Sequence, residues 1–305
     1  MYDMIVVGGG PAGMTAALYA LRNGKSVLVI EKAGFGGQIT HSPKVENYPG
    51  TLQMSGNEFA DRFLEQILAQ GAEVELERVV SVRDEDGRKI VETEEGGRYE
   101  ALTVVLATGV KHRMLGLEGE TELVGEGISF CAVCDGDFYS GQTVCVAGGG
   151  NSALQEAILL AEKCREVIVL QDLPKLTGEQ RLQDVLLSRP NVRAITNLKI
   201  NRLLKNGDAL CGVEVEDRTT GQKQQIACDG LFVAIGLIPE NEPFKALAKL
   251  NSYGYFDSDE QCTTVTPGIY VAGDCRSKAV RQLTTAVADG ATAALAACRY
   301  LNERK

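Results

Sequence analysis

Two glycine-rich turns constrain this 305-residue chain more than any other feature. The first, Gly8-Gly9-Gly10-Pro11-Ala12-Gly13, follows the apolar run Met4-Ile5-Val6-Val7. It leads into residues 14–21, an apolar stretch that reads as a helix ending near Asn23-Gly24. Ser26-Val27-Leu28-Val29-Ile30 reads as a second strand, closed by Glu31. A strand, a G-x-G-x-x-G turn, a helix, a strand and an acid, in that order, describe a dinucleotide-binding βαβ unit. Gly8 permits the tight turn, Gly10 lets backbone approach a pyrophosphate, and Gly13 allows close packing of helix on strand. The N–H groups and positive dipole end of the helix suit a diphosphate, and Glu31 can accept from a ribose hydroxyl. A plain crossover would not need three glycines at this spacing.

The pattern returns about 140 residues later. Thr143-Val144-Cys145-Val146-Ala147 is strand-like, Gly148-Gly149-Gly150-Asn151-Ser152-Ala153 is a G-x-G-x-x-A turn, residues 154–163 are helical in pattern, and Val167-Ile168-Val169-Leu170 is the next strand. An NADP site wants arginine after that strand to meet the 2′-phosphate. The chain has Gln171-Asp172-Leu173-Pro174-Lys175. Asp172 would repel a phosphate. It could accept from the free 2′-hydroxyl of NADH, or the turn could survive only as packing. Both are expected ahead of NADPH.

Between the two units lies Cys131-Ala132-Val133-Cys134, followed by Asp135-Gly136-Asp137. This spacing allows a disulfide across one helical turn or two metal ligands. A zinc site normally needs a second pair or histidines. The only histidines are His41 and His112 and no other close cysteine pair exists, so no metal is expected. A redox role is favoured over two buried cysteines by chance. A helix N-terminus would lower the thiolate pKa, and Asp135 could carry a proton to a leaving thiolate. Cys145, Cys164, Cys211, Cys228, Cys262, Cys275 and Cys298 are isolated and read as core thiols; Cys275, beside Asp274, is assigned no chemistry.

Near the C-terminus, residues 268–274 read as a strand ending in the glycine–acid turn Gly273-Asp274, suited to holding a ribityl chain. Arg281-Gln282-Leu283 opens an apolar helix running to Leu301. Its amides can face the pyrimidine end of an isoalloxazine, where reduction builds negative charge. With the first glycine turn this indicates a discontinuous FAD domain. The fold class expected is α/β: two Rossmann-like dinucleotide-binding domains of the flavoprotein type, the second inserted into the first. Residues 1–113 and 242–305 form the FAD domain, and 114–241 the inserted nicotinamide-binding-like domain carrying the C-x-x-C. Residues 73–98 alternate polar and apolar side chains and are expected to form antiparallel strands.

Composition closes off other classes. Apolar residues make up 44% and charged residues 24%, ordinary for a soluble globular chain. The net charge of −10 lacks the basic footprint of a nucleic-acid binder and disfavours an anionic membrane surface. No apolar run reaches the roughly 18 residues of a membrane-spanning helix. Residues 1–4 show no secretory pattern, so a cytoplasmic, reducing setting is expected.

The chain resembles low-molecular-weight thioredoxin reductases over essentially its full length. The resemblance rests on the first glycine turn, Gly36-Gly37-Gln38, Val45-Glu46-Asn47-Tyr48-Pro49-Gly50, Ala107-Thr108-Gly109, residues 131–136 and 232–236, Ala272-Gly273-Asp274 and Arg281-Gln282. It implies that Cys134 is the flavin-proximal thiol, Cys131 the interchange thiol that attacks thioredoxin, and Asp135 the general acid/base. It implies FAD on Gly8, Gly10, Gly13, Glu31, Gln38, Asn47, Thr108, Gly109, Gly273, Asp274, Arg281 and Gln282. It further implies a homodimer and rotation of the inserted domain to expose the cysteines. The family's NADPH-domain His-Arg-Arg stretch and downstream arginine are replaced here by Gln171-Asp172-Leu173 and Thr177, and its usual Asp after the third glycine by Asn151. In this the chain is similar to ferredoxin-dependent flavin thioredoxin reductases. Ferredoxin is therefore the expected donor, ahead of NADH and NADPH, with Arg22, Lys25, Lys44, Arg113 and Arg276 as the cations that could meet it. The alternatives are an NAD(P)H-dependent thioredoxin reductase and a flavin–dithiol redox sensor without turnover.

Overall fold

The computed structural model describes residues 1–42 and 44–304. The chain forms two compact units, Met1–Lys111 with Ile238–Lys305, and His112–Leu237. The sequence boundaries, after 113 and before 242, each lie a few residues C-terminal to these junctions.

The first unit opens with β1 (Tyr2–Val7), α1 (Pro11–Arg22), β2 (Val27–Glu31), α2 (Gly56–Ala69), β3 (Glu73–Leu76), β4 (Val79–Glu85), β5 (Arg88–Thr93), β6 (Arg98–Leu106) and β7 (Val110–His112). Its sheet runs β3-β2-β1-β6-β5-β4. Strands β3, β2, β1 and β6 are parallel, whereas β4, β5 and β6 are antiparallel. The antiparallel expectation for residues 73–98 thus holds only from Val79 onward. Glu73–Leu76 follows a helical crossover, which returns the chain parallel to β2. Its alternation reflects an edge position, with Leu76 60% exposed.

The second unit contains β8 (Ile128–Ser129), α3 (Ala132–Asp135), β9 (Thr143–Ala147), α4 (Asn151–Ala161), β10 (Glu166–Leu170), α5 (Gln180–Leu187), β11 (Val192–Ile195), β12 (Leu198–Asn206), β13 (Ala209–Asp217), β14 (Lys223–Ala227) and β15 (Gly230–Val233). A parallel sheet, β11-β10-β9-β15-β8, sits beside the antiparallel ribbon β12-β13-β14. Alternate residues of β9 and β10 enter different cores: Val144, Val146, Val167 and Val169 on one face, and Cys145, Ala147, Ile168 and Leu170 on the other. A parallel sheet buried on both faces needs such unbroken apolar strands.

The chain returns through β16 (Leu237–Pro239), which pairs with β7, and adds β17 (Ile269–Val271) and α6 (Leu283–Glu303) to the first unit. Strand β17 pairs in parallel with the C-terminal half of β6, whose N-terminal half pairs with β5. Helices α1 and α6 bury Ala12, Ala16, Ala17 and Ala20 in one core with Ala293, Ala294, Ala296 and Ala297. Small side chains let these backbones approach closely, which fixes the first glycine turn at the head of α1. Among the described residues, no helix is long and apolar enough to cross a membrane.

Candidate active site

The dithiol lies in the second unit. Strand β8 ends at Ser129, and two residues later Cys131 takes an extended backbone conformation at the N-cap of α3. Cys131 and Cys134 form a disulfide with their Cα atoms 5.3 Å apart. The Cys134 N–H donates to Cys131 Sγ at 3.2 Å. Val133 between them is 55% exposed, so solvent reaches the peptide that carries the bond.

Asp135 is held on the inner side of this turn. Its Oδ2 accepts the Ser129 hydroxyl at 2.6 Å, and Ser129 Oγ accepts the Cys131 N–H at 3.1 Å. Ser129 therefore ties the carboxyl to the first cysteine. Burial pushes the Asp135 carboxyl above its ordinary pKa, and the Ser129 hydrogen bond opposes that rise. Its Oδ1 is buried without a hydrogen-bond partner among the described residues. A second carboxyl, Glu156 of α4, lies against the Ala132 N–H and also keeps one buried oxygen without a partner among the described residues. Burial, reinforced by the charge of Asp135 and opposed by the Ala132 N–H, pushes Glu156 up to about 8. A half-buried disulfide flanked by two carboxyls whose pKa burial raises is equipped for thiol–disulfide exchange with local proton transfer.

The first glycine turn organises the other predicted contacts. Gly8 has φ +111°, and a Cβ on Gly13 would lie 1.9 Å from the Gly8 carbonyl oxygen, so neither position accepts another residue without rebuilding the turn. Gly10 caps α1 without a side chain. Glu31 accepts the Gly9 N–H at 2.7 Å on one oxygen and the Ala33 N–H at 3.0 Å on the other. The Gly36 N–H donates to the Gly9 carbonyl at 2.8 Å, setting Gln38 in the following short helix beside the turn.

The C-terminal contacts are linked in the same way. The Thr108 hydroxyl, next to Gly109, donates to Asn241 Oδ1 at 2.8 Å. Asn241, fully buried, donates in turn to the Gly254 and Cys275 carbonyls. The Gly273 N–H donates to Asp289 Oδ2 at 3.1 Å, and Asp289 pairs with Arg276 and Lys278. Burial pushes Asp274 up while Lys278 and Arg281 hold it down, and its Oδ1 is buried without a partner among the described residues. Arg281 donates to the Asp274 and Arg276 carbonyls and lies over the Tyr255 ring at 4.2 Å. Gln282 caps α6 reciprocally with Thr285, and its Oε1 accepts from Asn47 Nδ2 at 3.4 Å. Sequence reasoning missed Ser129, Glu156, Asn241 and Asp289. Only Ser129 had a local signal, its place two residues before Cys131.

The second glycine turn is closed over by the chain itself. The Gly149 carbonyl accepts from the Thr177 N–H at 2.8 Å, the Gly178 N–H at 2.9 Å and the Thr177 hydroxyl at 3.3 Å. A Cβ on Gly178 would fall 3.2 Å from the Asn151 nitrogen. The Glu179 N–H donates to Asn151 Oδ1 at 2.7 Å, and Asn151 Nδ2 returns a bond to Glu179 Oε1 at 3.0 Å. From sequence no arginine is expected at the end of β10, but Arg218, from the turn between β13 and β14, pairs with Asp172 at 3.1 Å. Three other expectations also change. Cys211 is exposed rather than a core thiol, because strand β13 turns it outward. Cys145 of β9 and Cys228, in the turn between β14 and β15, are not isolated: their side chains lie together. Lys25 and Arg276 are buried and bonded within the fold, to Asn302 and Asp289 respectively, so neither is a surface cation.

Two Rossmann-like units, one of them carrying a C-x-x-C disulfide beside a buried acid, define a disulfide oxidoreductase of the two-dinucleotide-domain class. The model of the pyridine nucleotide-disulphide oxidoreductase family matches residues 2–290. A 34.2 kDa protein in the rubredoxin operon of Clostridium pasteurianum is 38% identical over 98% of this chain and 97% of its own length. A thioredoxin reductase of Listeria innocua is 37% identical over 100% and 95%. The crystal structure of thioredoxin reductase from Streptococcus pyogenes superposes with a TM-score of 0.94 at 39% identity, covering 99% of each chain. The chain belongs to the pyridine nucleotide-disulphide oxidoreductase family, in its low-molecular-weight thioredoxin reductase branch.

Proposed function

We propose that this protein reduces the disulfide of thioredoxin through Cys131 and Cys134, using bound FAD and taking electrons from reduced ferredoxin. The observation that carries the reading is the Cys131–Cys134 disulfide with Asp135 held beside it by Ser129.

The first unit fits FAD. A Cβ on Gly10 would meet nothing nearer than the Gly36 carbonyl oxygen at 4.0 Å, so the head of α1 has room for a diphosphate. The Oδ1 of Asp274, buried without a partner among the described residues, is an acceptor suited to a hydroxyl such as those of a ribityl chain. Gly8, Gly10, Gly13, Glu31 and Gln38 would hold the adenosine and diphosphate. Asn47, Thr108, Gly109, Gly273, Asp274 and Gln282 would hold the flavin end, with Arg281 fixing the Asp274 turn. Bound FAD would supply the electron pair that opens the disulfide.

The chain's own residues do the rest. The Cys131 thiolate attacks one sulfur of the thioredoxin disulfide. That bond breaks, and the departing thiolate takes a proton. The Cys134 thiolate then attacks Cys131 Sγ, the mixed disulfide breaks, and the second thioredoxin thiol leaves as the Cys131–Cys134 bond reforms. Asp135, held beside the disulfide by Ser129, would give and take these protons.

Ferredoxin as donor is supported by the second glycine turn. Residues 177–179 cover it, the Glu179 carboxylate stands beside the head of α4, and Asp172 occupies Arg218. A nicotinamide dinucleotide would have to displace this loop, and the 2′-phosphate of NADPH would also have to displace Asp172. Arg113 is an exposed cation available to an acidic protein donor. The reading places the enzyme in a reducing cytosol, as a homodimer. Anaerobic mixing of the FAD-loaded enzyme with reduced ferredoxin, NADH and NADPH in turn tests it, read as flavin bleaching and then as thiol formation in thioredoxin. Bleaching at micromolar NADPH overturns the donor. Failure of every donor to yield reduced thioredoxin returns the dithiol to a sensing role.

A further inference from the structure

Two carboxyls flank the dithiol, and only Asp135 follows it directly in sequence. Glu156 reaches it from the middle of α4, which packs against α3. The Glu156 carboxyl faces the N–H of Ala132, the residue directly after Cys131 and inside the C-x-x-C. One of its oxygens is buried without any hydrogen-bond partner among the described residues. Among the described residues, no cation acts on it. The other charged or titratable groups on elements packed against α4 are Cys131, Cys134 and Asp135 of α3 and its cap, Glu179, Arg181 and Asp184 of α5 and its cap, Glu166 of β10, and Cys145 of β9. Asp137 and Tyr139 lie in the turn after α3, and Asp137 is paired with Lys163. Of these, only Asp135 acts appreciably on Glu156, and it acts as a like charge. A carboxyl in such a place keeps its proton at neutral pH.

We propose that Glu156, set against the Ala132 N–H inside the C-x-x-C, is the second carboxyl of the dithiol centre, a positioning residue whose neutral form lets Cys131 carry the thiolate and whose charge suppresses it. The inference rests on the reading of Cys131 as the attacking thiol. A neutral Glu156 imposes no like charge on a thiolate one residue away from the N–H it faces. An ionised Glu156 does, and it raises the thiol pKa. With Glu156 itself pushed up to about 8, the change falls at the alkaline edge of neutrality. Thiolate reactivity should therefore climb less steeply with pH there than a lone thiol would.

The test uses the full-length protein reduced with dithiothreitol, freed of reductant and treated with iodoacetamide from about pH 6 to about pH 10, with alkylation of Cys131 followed by mass spectrometry. The wild type and Glu156→Gln should react alike, within about twofold, at pH 6 to 7, where both carry a neutral side chain. At about pH 9 the Gln variant should react about three- to tenfold faster, because it cannot ionise. Glu156→Ala should show the same alkaline gain, whereas a purely structural role would disturb Ala and spare Gln. Superimposable profiles for wild type and Gln across the whole range overturn the proposal. Where a variant fails to fold, an infrared pH titration of the oxidised wild-type protein decides the same point. A buried protonated carboxyl band should be present at pH 7 and lost through about pH 8, and its absence at pH 7 overturns the proposal. Neither readout involves flavin, electron donor or thioredoxin, so a failure here is distinguishable from a failure of the proposed function.

Discussion

Replacing Glu156 by Gln should change the pH dependence of folding stability in a way that follows from its burial. The ordinary glutamate pKa is 4.5, and in the folded protein the group is pushed up to about 8. Between these values the folded state holds a proton that the unfolded chain has released. Stability of the wild type must then fall as pH rises through that window. Each pH step is worth about 1.4 kcal/mol, and the rise from 4.5 to about 8 amounts to about 5 kcal/mol in all. Gln neither binds nor releases this proton. The stability difference, variant minus wild type, should therefore be smallest near pH 5, grow by about 1.4 kcal/mol per pH step to about pH 8, and then level off. Any fixed gain or loss from burying an amide shifts the whole curve without altering its slope. Urea unfolding of both full-length proteins, with the disulfide oxidised and at one ionic strength, measures this as the separation of midpoints. A separation that does not vary with pH would mean that Glu156 ionises normally in the folded protein, and the electrostatic account of the dithiol centre would fall with it.

Asp135→Asn keeps an acceptor for the Ser129 hydroxyl but removes the proton carrier, so thioredoxin turnover should drop by about 10²–10⁴-fold while thioredoxin binding changes little; an unchanged turnover number removes Asp135 from the mechanism. Asp172→Asn releases Arg218, so flavin bleaching should improve by about tenfold with NADPH and scarcely at all with NADH; an unchanged ratio shows that the ion pair does not govern the 2′-phosphate. Asp274→Ala removes a carboxyl whose Oδ1 is buried without a partner among the described residues, so the FAD-free protein should gain thermal stability while FAD affinity falls by about tenfold or more; parallel changes in both would contradict a cofactor role for that oxygen.

The glycine turns and the C-x-x-C were legible in the sequence because their chemistry is local. A pyrophosphate-sized approach at Gly10, a helix packed against the Gly8 carbonyl at Gly13, and a disulfide across one helical turn are each set within a few consecutive residues. Glu156 and Arg218 were not legible, and Ser129 was marked only by its place two residues before Cys131, for a common reason. Ser129 matters because a two-residue strand aims its hydroxyl at Asp135. Glu156 reads on α4 like any exposed glutamate, and only the packing of α4 on α3 turns it toward Ala132. Arg218 stands 46 residues from Asp172, and the β13–β14 ribbon brings it there. The same holds for Glu73–Leu76, whose alternation marks an exposed edge in a parallel sheet as well as in an antiparallel one.

The central claim is that electrons pass through the Cys131–Cys134 disulfide on their way to thioredoxin. Anaerobic dithionite titration of the FAD-loaded protein, followed by mixing with oxidised thioredoxin, tests it most directly. The wild type should take up an electron pair beyond that held by the flavin and yield it to thioredoxin, whereas Cys134→Ser should take up only the flavin's share and leave thioredoxin oxidised. A Cys134→Ser protein that reduces thioredoxin at the wild-type rate would contradict the account.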